Sequence, residues 1–239
     1  MSTSIVILAA GKGTRLGMPF PKPLTPLSDG TPILARALSC IHAEFGADPV
    51  NIVVGFQLER IIEAFPDEQF VYNDQYDVTN TSKSLLRALQ AVPRKNGVLW
   101  FNGDVVFDET LLPRIRHFIM EEQSFVAVNT ASVSDEEVKY TVDELGFIDS
   151  LSKVVDSNVA LGEAVGINYV SPRNKEKLIR MLKKVDDNDY FERGIEKAIQ
   201  LGDSNYLPVD ISRFGMGAME VDFQEDLARA NAALDANSR

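Results

Sequence analysis

The feature that most narrows the fold is a series of short apolar runs rich in β-branched residues: "SIVILAA", "VNIVVGF", "QFVYN", "GVLWFNGDVVF" and "SFVAVNT". They lack the polar alternation of a strand with one face in water, so each is expected to be buried on both faces. Helical patterns separate them. Strands of this kind alternating with helices predict a mostly parallel sheet with right-handed crossovers and helices on both sides. In "TPILARALSCIHAEFG", Thr31 is placed to cap and Pro32 to take the first helical position. Ile33, Leu34, Ala37, Leu38, Ile41 and Phe45 then share a face until Gly46 ends it.

The pattern changes after residue 130. "EVKYTVDELGFIDSLSKVVD" reads as two strands around a turn at Glu144-Leu145-Gly146, and "GEAVGINYVS" as another strand. The helices "PRNKEKLIRMLKKV" and "DYFERGIEKAIQLG", short strands "YLPVDI" and "AMEVD", and a last helix "QEDLARANAALDA" follow. No repeat, low-complexity tract or linker interrupts the chain, so one α/β domain over residues 1–239 with a small inserted β-sheet is expected.

At 239 residues and 45% hydrophobic content the chain can bury a proper core. Its net charge of −11 excludes a general nucleic-acid binder or a binder of anionic membranes, both of which need a basic face. The single cysteine, Cys40, excludes an internal disulfide framework and any multi-cysteine zinc site, and suits a reducing cytosol. The apolar run at the N-terminus is too short for a signal-peptide core, and no segment approaches the ~20 apolar residues of a membrane helix. A soluble cytoplasmic protein is the expectation.

Against that acidic background the loop "LAAGKGTRLGMPFPKPL", Leu8 to Leu24, gathers cations after the first strand. In an open α/β sheet this is where ligands bind. Gly11 and Gly13 allow successive N–H groups to point at one anion after Leu8, Ala9 and Ala10 close the strand. Thr14 follows, Arg15 adds a planar fork of donors and Lys22 a compact cation, and together they describe a polyphosphate cradle. The glycines Gly11, Gly13 and Gly17 run into "MPFPKPL", which cannot open a helix, so this is not a dinucleotide fingerprint. The G-x-x-x-x-G-K-[ST] loop is absent as well.

"LAAGKGTRLG" followed by "PKPL" resembles the signature of the nucleotidyltransferases that activate small phosphorylated compounds with a nucleoside triphosphate. That group holds the sugar-1-phosphate nucleotidylyltransferases and the phosphocholine and phosphonate cytidylyltransferases. The resemblance implies a Rossmann-like three-layer α/β/α nucleotidyltransferase fold, with residues 1–130 as the nucleotide-binding half and 131–239 as the acceptor-binding half. It also places Arg15 and Lys22 on the triphosphate.

An anionic acceptor is already a nucleophile, so the chemistry asks for charge neutralisation rather than a general base, and His42 and His117 are left as surface residues. Mg²⁺ prefers a carboxylate or two beside phosphate oxygens. Asp104, ending "GVLWFNGD", and Asp222, in "AMEVDFQEDL", match the family's strand-ending G-D and late E-[IV]-D, and both are expected to hold magnesium; a turn cap at Asp104 and an N-cap at Asp222 are the plainer alternatives.

In "NDQYDVTNTSKSLLRAL", Asn80, Thr81 and Ser84 stand where amide and hydroxyl groups can read a base, while N-capping by Thr81 or Ser82 is equally open. An asparagine before a serine-containing helix is similar to the cytidylyltransferase branch and favours CTP. In "GFIDSLSKVVD", Lys153 resembles the strand lysine that meets the acceptor's phosphate, and Glu163 and Gly166 fall where relatives line the acceptor pocket. Glu192, with Tyr190 and Phe191 at a helix start, offers an acid beside aromatic faces for an ammonium, although such aromatics are more often core.

The expected activity is transfer of CMP from CTP to phosphocholine or 2-aminoethylphosphonate, or a similar small phosphate or phosphonate, with pyrophosphate released. Alternatives are a sugar-1-phosphate nucleotidylyltransferase using UTP, dTTP or GTP, and a catalytically silent nucleotide-binding subunit. A homodimer is compatible with the sequence.

Overall fold

The computed structural model describes residues 3–131, 133–134, 137–184, 195, 197 and 204–237. The strands are β1 (Thr3–Ala9), β2 (Asn51–Val54), β3 (Gln69–Tyr72), β4 (Gly97–Asn102), β5 (Val105–Phe107), β6 (Phe125–Asn129), β7 (Lys139–Val142), β8 (Ile148–Ser152), β9 (Gly162–Val170), β10 (Leu207–Asp210) and β11 (Ala218–Glu220). The helices are α1 (Ile33–Phe45), α2 (Leu58–Ala64), α3 (Thr81–Ala91), α4 (Leu111–Met120), α5 (Pro172–Lys184) and α6 (Gln224–Asn237).

The main sheet runs β10-β6-β9-β4-β1-β2-β3, with the β7–β8 hairpin attached to β9. β1 pairs in parallel with β2 and β4, β2 with β3, and β6 with β10, whereas β9 is antiparallel to both β4 and β6. Thus β9, from the second half of the chain, is inserted between two strands of the first.

The apolar runs lack alternation because both faces are covered. Ile7 and Ala9 of β1 and Leu99 and Phe101 of β4 face α1, α2 and α4. Val6, Leu8, Val98 and Trp100, on alternate positions, face α3 and α5. The result is the three-layer α/β/α arrangement. A separate two-stranded sheet, β5 with β11, returns the C-terminal segment to the middle of the fold, and α6 packs Ala230 and Leu234 against Leu16, Leu27, Ile33, Val106 and Val221.

Two local expectations change. Pro32 is the N-cap of α1 rather than its first residue, because its ψ of 146° is extended. The strand expected through Lys153 stops at Ser152, so Lys153 sits in the turn after β8. Among the described residues no helix is long and apolar enough to cross a membrane.

Candidate active site

A cavity of about 400 Å³ opens at the carboxyl ends of β1 and β4, walled by the loop after β1, the start of α3, and the Asn102–Asp104 turn. Leu8, Ala9, Ala10, Gly11, Gly13, Thr14, Arg15, Lys22, Asn80, Thr81, Ser84, Asp104 and Asp222 all line it. Residues assigned from separate motifs therefore meet around one space.

Gly13 is required where it stands. Its φ is +57°, and a Cβ there would lie 2.6 Å from Lys22 Cβ, so the glycine lets the loop close over the lysine. Gly11 has neither a positive φ nor a crowded Cβ position.

The cavity's charged end is built by β5 and β11. Their antiparallel pairing sets Glu220 opposite Val105, and Val221 N–H donates to Asp104 O at 3.0 Å, which brings the two aspartates together. Lys22 Nζ lies between them, 2.6 Å from Asp104 Oδ2 and 2.5 Å from Asp222 Oδ1. Arg15 Nη1 reaches Asp222 Oδ2 at 2.9 Å, with its guanidinium 5.6 Å from the Phe223 ring centroid.

Burial alone would lower the pKa of Lys22. The charges and hydrogen bonds of Asp104 and Asp222 outweigh it and raise the pKa above the ordinary value, so the ammonium is charged at neutral pH. Asp226, not Asp222, serves the start of α6: its carboxylate accepts from Asp222 N–H at 3.0 Å and Phe223 N–H at 2.8 Å. This leaves the Asp222 carboxylate to the cations.

Beside the aspartates Glu220 is half-buried, and its Oε1 accepts from Asn102 Nδ2 at 3.2 Å. Desolvation first, then the charges of Asp104, Glu137 and Asp222, raise its pKa well above the ordinary carboxylate value. Asp104 Oδ1 is buried with no hydrogen-bond partner among the described residues. Two converging carboxylates, one carrying an orphaned oxygen, fit Mg²⁺, which needs few protein ligands when phosphate oxygens and water complete its shell. No cluster of three or more histidine, cysteine or acidic side chains suited to a metal occurs among the described residues, which disfavours an all-protein cage.

The uncharged end carries amides and hydroxyls. Asn80 is the N-cap of α3, its Oδ1 accepting from Ser82 N at 3.0 Å and Ser82 Oγ at 2.6 Å, so neither Thr81 nor Ser82 has that role. Tyr76 and Thr79 also line this end and were not singled out from sequence. A signal existed for Tyr76: Gly55 follows β2, and a Cβ there would lie 2.5 Å from Tyr76 Cβ.

The residues assigned to the acceptor lie outside this cavity. Lys153 is exposed; Lys139, buried, donates from Nζ to Lys153 O at 2.9 Å and to Ser134 O at 3.3 Å. Glu163 is also buried, and its carboxylate accepts from Ser134 N–H, closing the loop before β7. Gly166, at φ +68°, packs its backbone against Glu220 Oε1 and Asn102 Nδ2. Glu137, missed in the sequence, has its pKa raised by burial against the opposing charge of Lys153, with Glu163 and Asp222 adding to the rise, so these four groups share one electrostatic neighbourhood. Tyr190, Phe191 and Glu192 fall outside the described residues.

Two curated relatives match part of the chain. The bifunctional protein GlmU of Acidithiobacillus ferrooxidans is 36% identical over 136 residues, 56% of this chain and 29% of that protein. CMP-5′-(3-aminopropyl)phosphonate synthase of Streptomyces rubellomurinus is 38% identical over 119 residues, 46% of this chain and 18% of that protein. The match thus spans less than a third of either relative's length.

Two solved structures share the fold over nearly the whole chain. CTP:phosphocholine cytidylyltransferase (LicC) from Streptococcus pneumoniae superposes with a TM-score of 0.74 at 19% identity, covering 98% of this chain and 100% of the other. The inositol-1-phosphate CTP transferase from T. maritima gives 0.76 at 18% identity, covering 100% and 97%. The MobA-like NTP transferase domain matches residues 5–158, well over half of the chain, and the protein belongs to that family.

Proposed function

We propose that the protein is a magnesium-dependent cytidylyltransferase that joins CMP to a small phosphate or phosphonate bearing an amine, such as phosphocholine or 2-aminoethylphosphonate. The observation that carries this reading is the Lys22 bridge between Asp104 and Asp222, with Arg15 on Asp222, at the charged end of a cavity whose other end is lined by Asn80, Thr81 and Ser84. Such a cavity suits a triphosphate at one end and a base at the other.

An acceptor oxygen attacks the α-phosphorus in line, the bond to the β-phosphate breaks, and pyrophosphate leaves with that electron pair. Arg15 and Lys22 neutralise the triphosphate and the departing pyrophosphate, and the glycine loop presents its N–H groups to phosphate oxygens. Asp104 and Asp222 would hold Mg²⁺, which supplies charge neutralisation at the phosphate that reacts. Lys153 meets the acceptor's phosphate, while Glu163, Gly166 and Glu192 shape its surroundings. Residues 1–130 serve the nucleotide; 131–239 serve the acceptor and supply Asp222. The single cysteine, buried Cys40, suits a cytoplasmic setting. The phosphonate synthase relative and the two CTP-named structural neighbours support the choice of CTP.

The test is pyrophosphate release with Mg²⁺, crossing CTP, UTP, GTP, dTTP and ATP against phosphocholine, 2-aminoethylphosphonate, inositol phosphate and several sugar 1-phosphates, with Asp104→Asn as the blank. Release confined to CTP and an amine-bearing acceptor is expected. Release with a sugar 1-phosphate instead overturns the acceptor assignment, and silence across the grid with nucleotide still bound moves the reading to a regulatory subunit.

A further inference from the structure

Asn73 follows β3 and is 1% exposed, one layer behind the cavity wall and absent from its lining. All the hydrogen-bonding capacity of its amide is used. Oδ1 accepts from Gln75 N at 3.2 Å and from Arg87 Nε at 3.0 Å; Nδ2 donates to Ser84 Oγ at 3.0 Å and to Thr79 Oγ1 at 3.3 Å. The amide can stand only this way round, because a backbone N–H and an arginine Nε are donors alone and demand the oxygen. Arg87 is itself held through Asp74 and Gln75, so the orientation is clamped from α3.

A hydroxyl group is normally ambidextrous: it rotates to donate or accept as its partner requires, and so distinguishes cytosine poorly from uracil. Here that freedom is removed. Thr79 accepts from Asn73 and gives its own proton to Gln75 O at 2.6 Å, which leaves an oxygen lone pair for the cavity. Ser84 accepts from Asn73 and has no acceptor for its own proton among the described residues, so it offers a donor. One wall therefore presents a fixed acceptor beside a fixed donor.

We propose that Asn73 is a positioning residue that locks the hydrogen-bond polarity of Thr79 and Ser84 and thereby makes the base pocket select cytosine over uracil. Thr79 accepts from the exocyclic N4 amino group and Ser84 donates to N3. Uracil in the same pose sets O4 against the Thr79 lone pair and N3–H against the Ser84 proton, so both contacts turn repulsive. This inference rests on the cytidylyl reading above and names the device that carries its base selection.

Asn73→Asp is the decisive variant. It keeps the shape and the oxygen that Arg87 and Gln75 require, and replaces only the Nδ2 donor with an acceptor that draws the Ser84 and Thr79 protons away from their present directions. CTP and UTP binding is measured by calorimetry and by competition in pyrophosphate release. The expected result is a CTP-over-UTP preference narrowed by about 10- to 100-fold, the scale of two specific base contacts. The change should appear in apparent KM, with kcat at saturating CTP within a few-fold of wild type.

A merely structural role would lower Tm and leave the ratio alone. Thr79→Val, which leaves Asn73 in place, gives a second reading: it removes the lone pair that faces O4 and must also narrow the ratio. Wild type selecting CTP with both variants keeping that selection refutes the role of Asn73 while the cytidylyl reading stands. Wild type preferring UTP or a purine refutes the cytidylyl reading itself.

Discussion

Replacing Lys22 by methionine tests the core of the site without any substrate. The ammonium is held 2.6 Å from one carboxylate and 2.5 Å from another, and the three side chains are 9, 21 and 19% exposed. Met fills much of the same volume but leaves two carboxylates facing each other with no cation between them. Breaking a buried pair by removing one partner costs about 3–5 kcal/mol. The partial exposure of both aspartates, with Arg15 still on Asp222, places this case near the lower end, at about 3 kcal/mol. For a domain of this size that lowers Tm by roughly 6–12 °C. Mg²⁺ should restore part of the loss in Lys22→Met, because the released carboxylates then bind it, whereas Mg²⁺ without nucleotide should hardly move wild type, in which Lys22 holds them. Scanning calorimetry with and without millimolar Mg²⁺ reads both effects. A variant that melts within about 1 °C of wild type in EDTA, or equal magnesium responses in the two proteins, would refute the reasoning.

Gly166→Ala forces a left-handed backbone on a residue with a side chain and sets its Cβ 2.5 Å from Glu220 Oε1 and 2.8 Å from Asn102 Nδ2; a loss of about 2–5 kcal/mol in urea unfolding is expected. At His42, burial lowers the pKa, but the hydrogen bond to Glu68, the Gly46 carbonyl and the charge of Glu68 together raise it above 6.5. Its contribution is therefore complete below pH 6.5 and disappears as pH rises through the higher folded value, so His42→Gln should cost less than about 1 kcal/mol near pH 5.5 and nothing resolvable at pH 8.5, by denaturant titration at both pH values. Lys153→Ala should raise the KM for the acceptor about tenfold or more with the nucleotide KM nearly unchanged; the reverse pattern in steady-state kinetics would remove Lys153 from the acceptor's phosphate.

The parts of this molecule that were legible in its sequence are those where a local pattern has one physical cause. β1 and β4 read as buried on both faces because Val6 and Ile7, or Trp100 and Phe101, point to opposite helical layers and both must be apolar. The cation loop stood out because its lysine and arginine interrupt an acidic chain immediately after a strand. Asp104 and Asp222 could each be assigned separately, since each closely follows a strand-like run, but nothing local says that the strands β5 and β11 pair and bring them onto one ammonium.

The illegible parts share that property: they depend on a partner remote in the chain. Nothing in the sequence says that the Glu163 carboxylate accepts from Ser134 N–H, and Lys153 reads as a strand residue although it sits in a turn with Lys139 Nζ on its carbonyl. Asn73 is the sharpest case. Its neighbours in sequence mark it as a turn residue, which it is, with Gln75 N–H on its Oδ1; only the packing of α3 against that turn places Arg87 on one side of the amide and Ser84 on the other. The charged end of the site was legible because cations and carboxylates are rare enough in such places to be noticed one at a time. The uncharged end was not, because the donor or acceptor character of a hydroxyl belongs to its hydrogen-bond network rather than to its residue type.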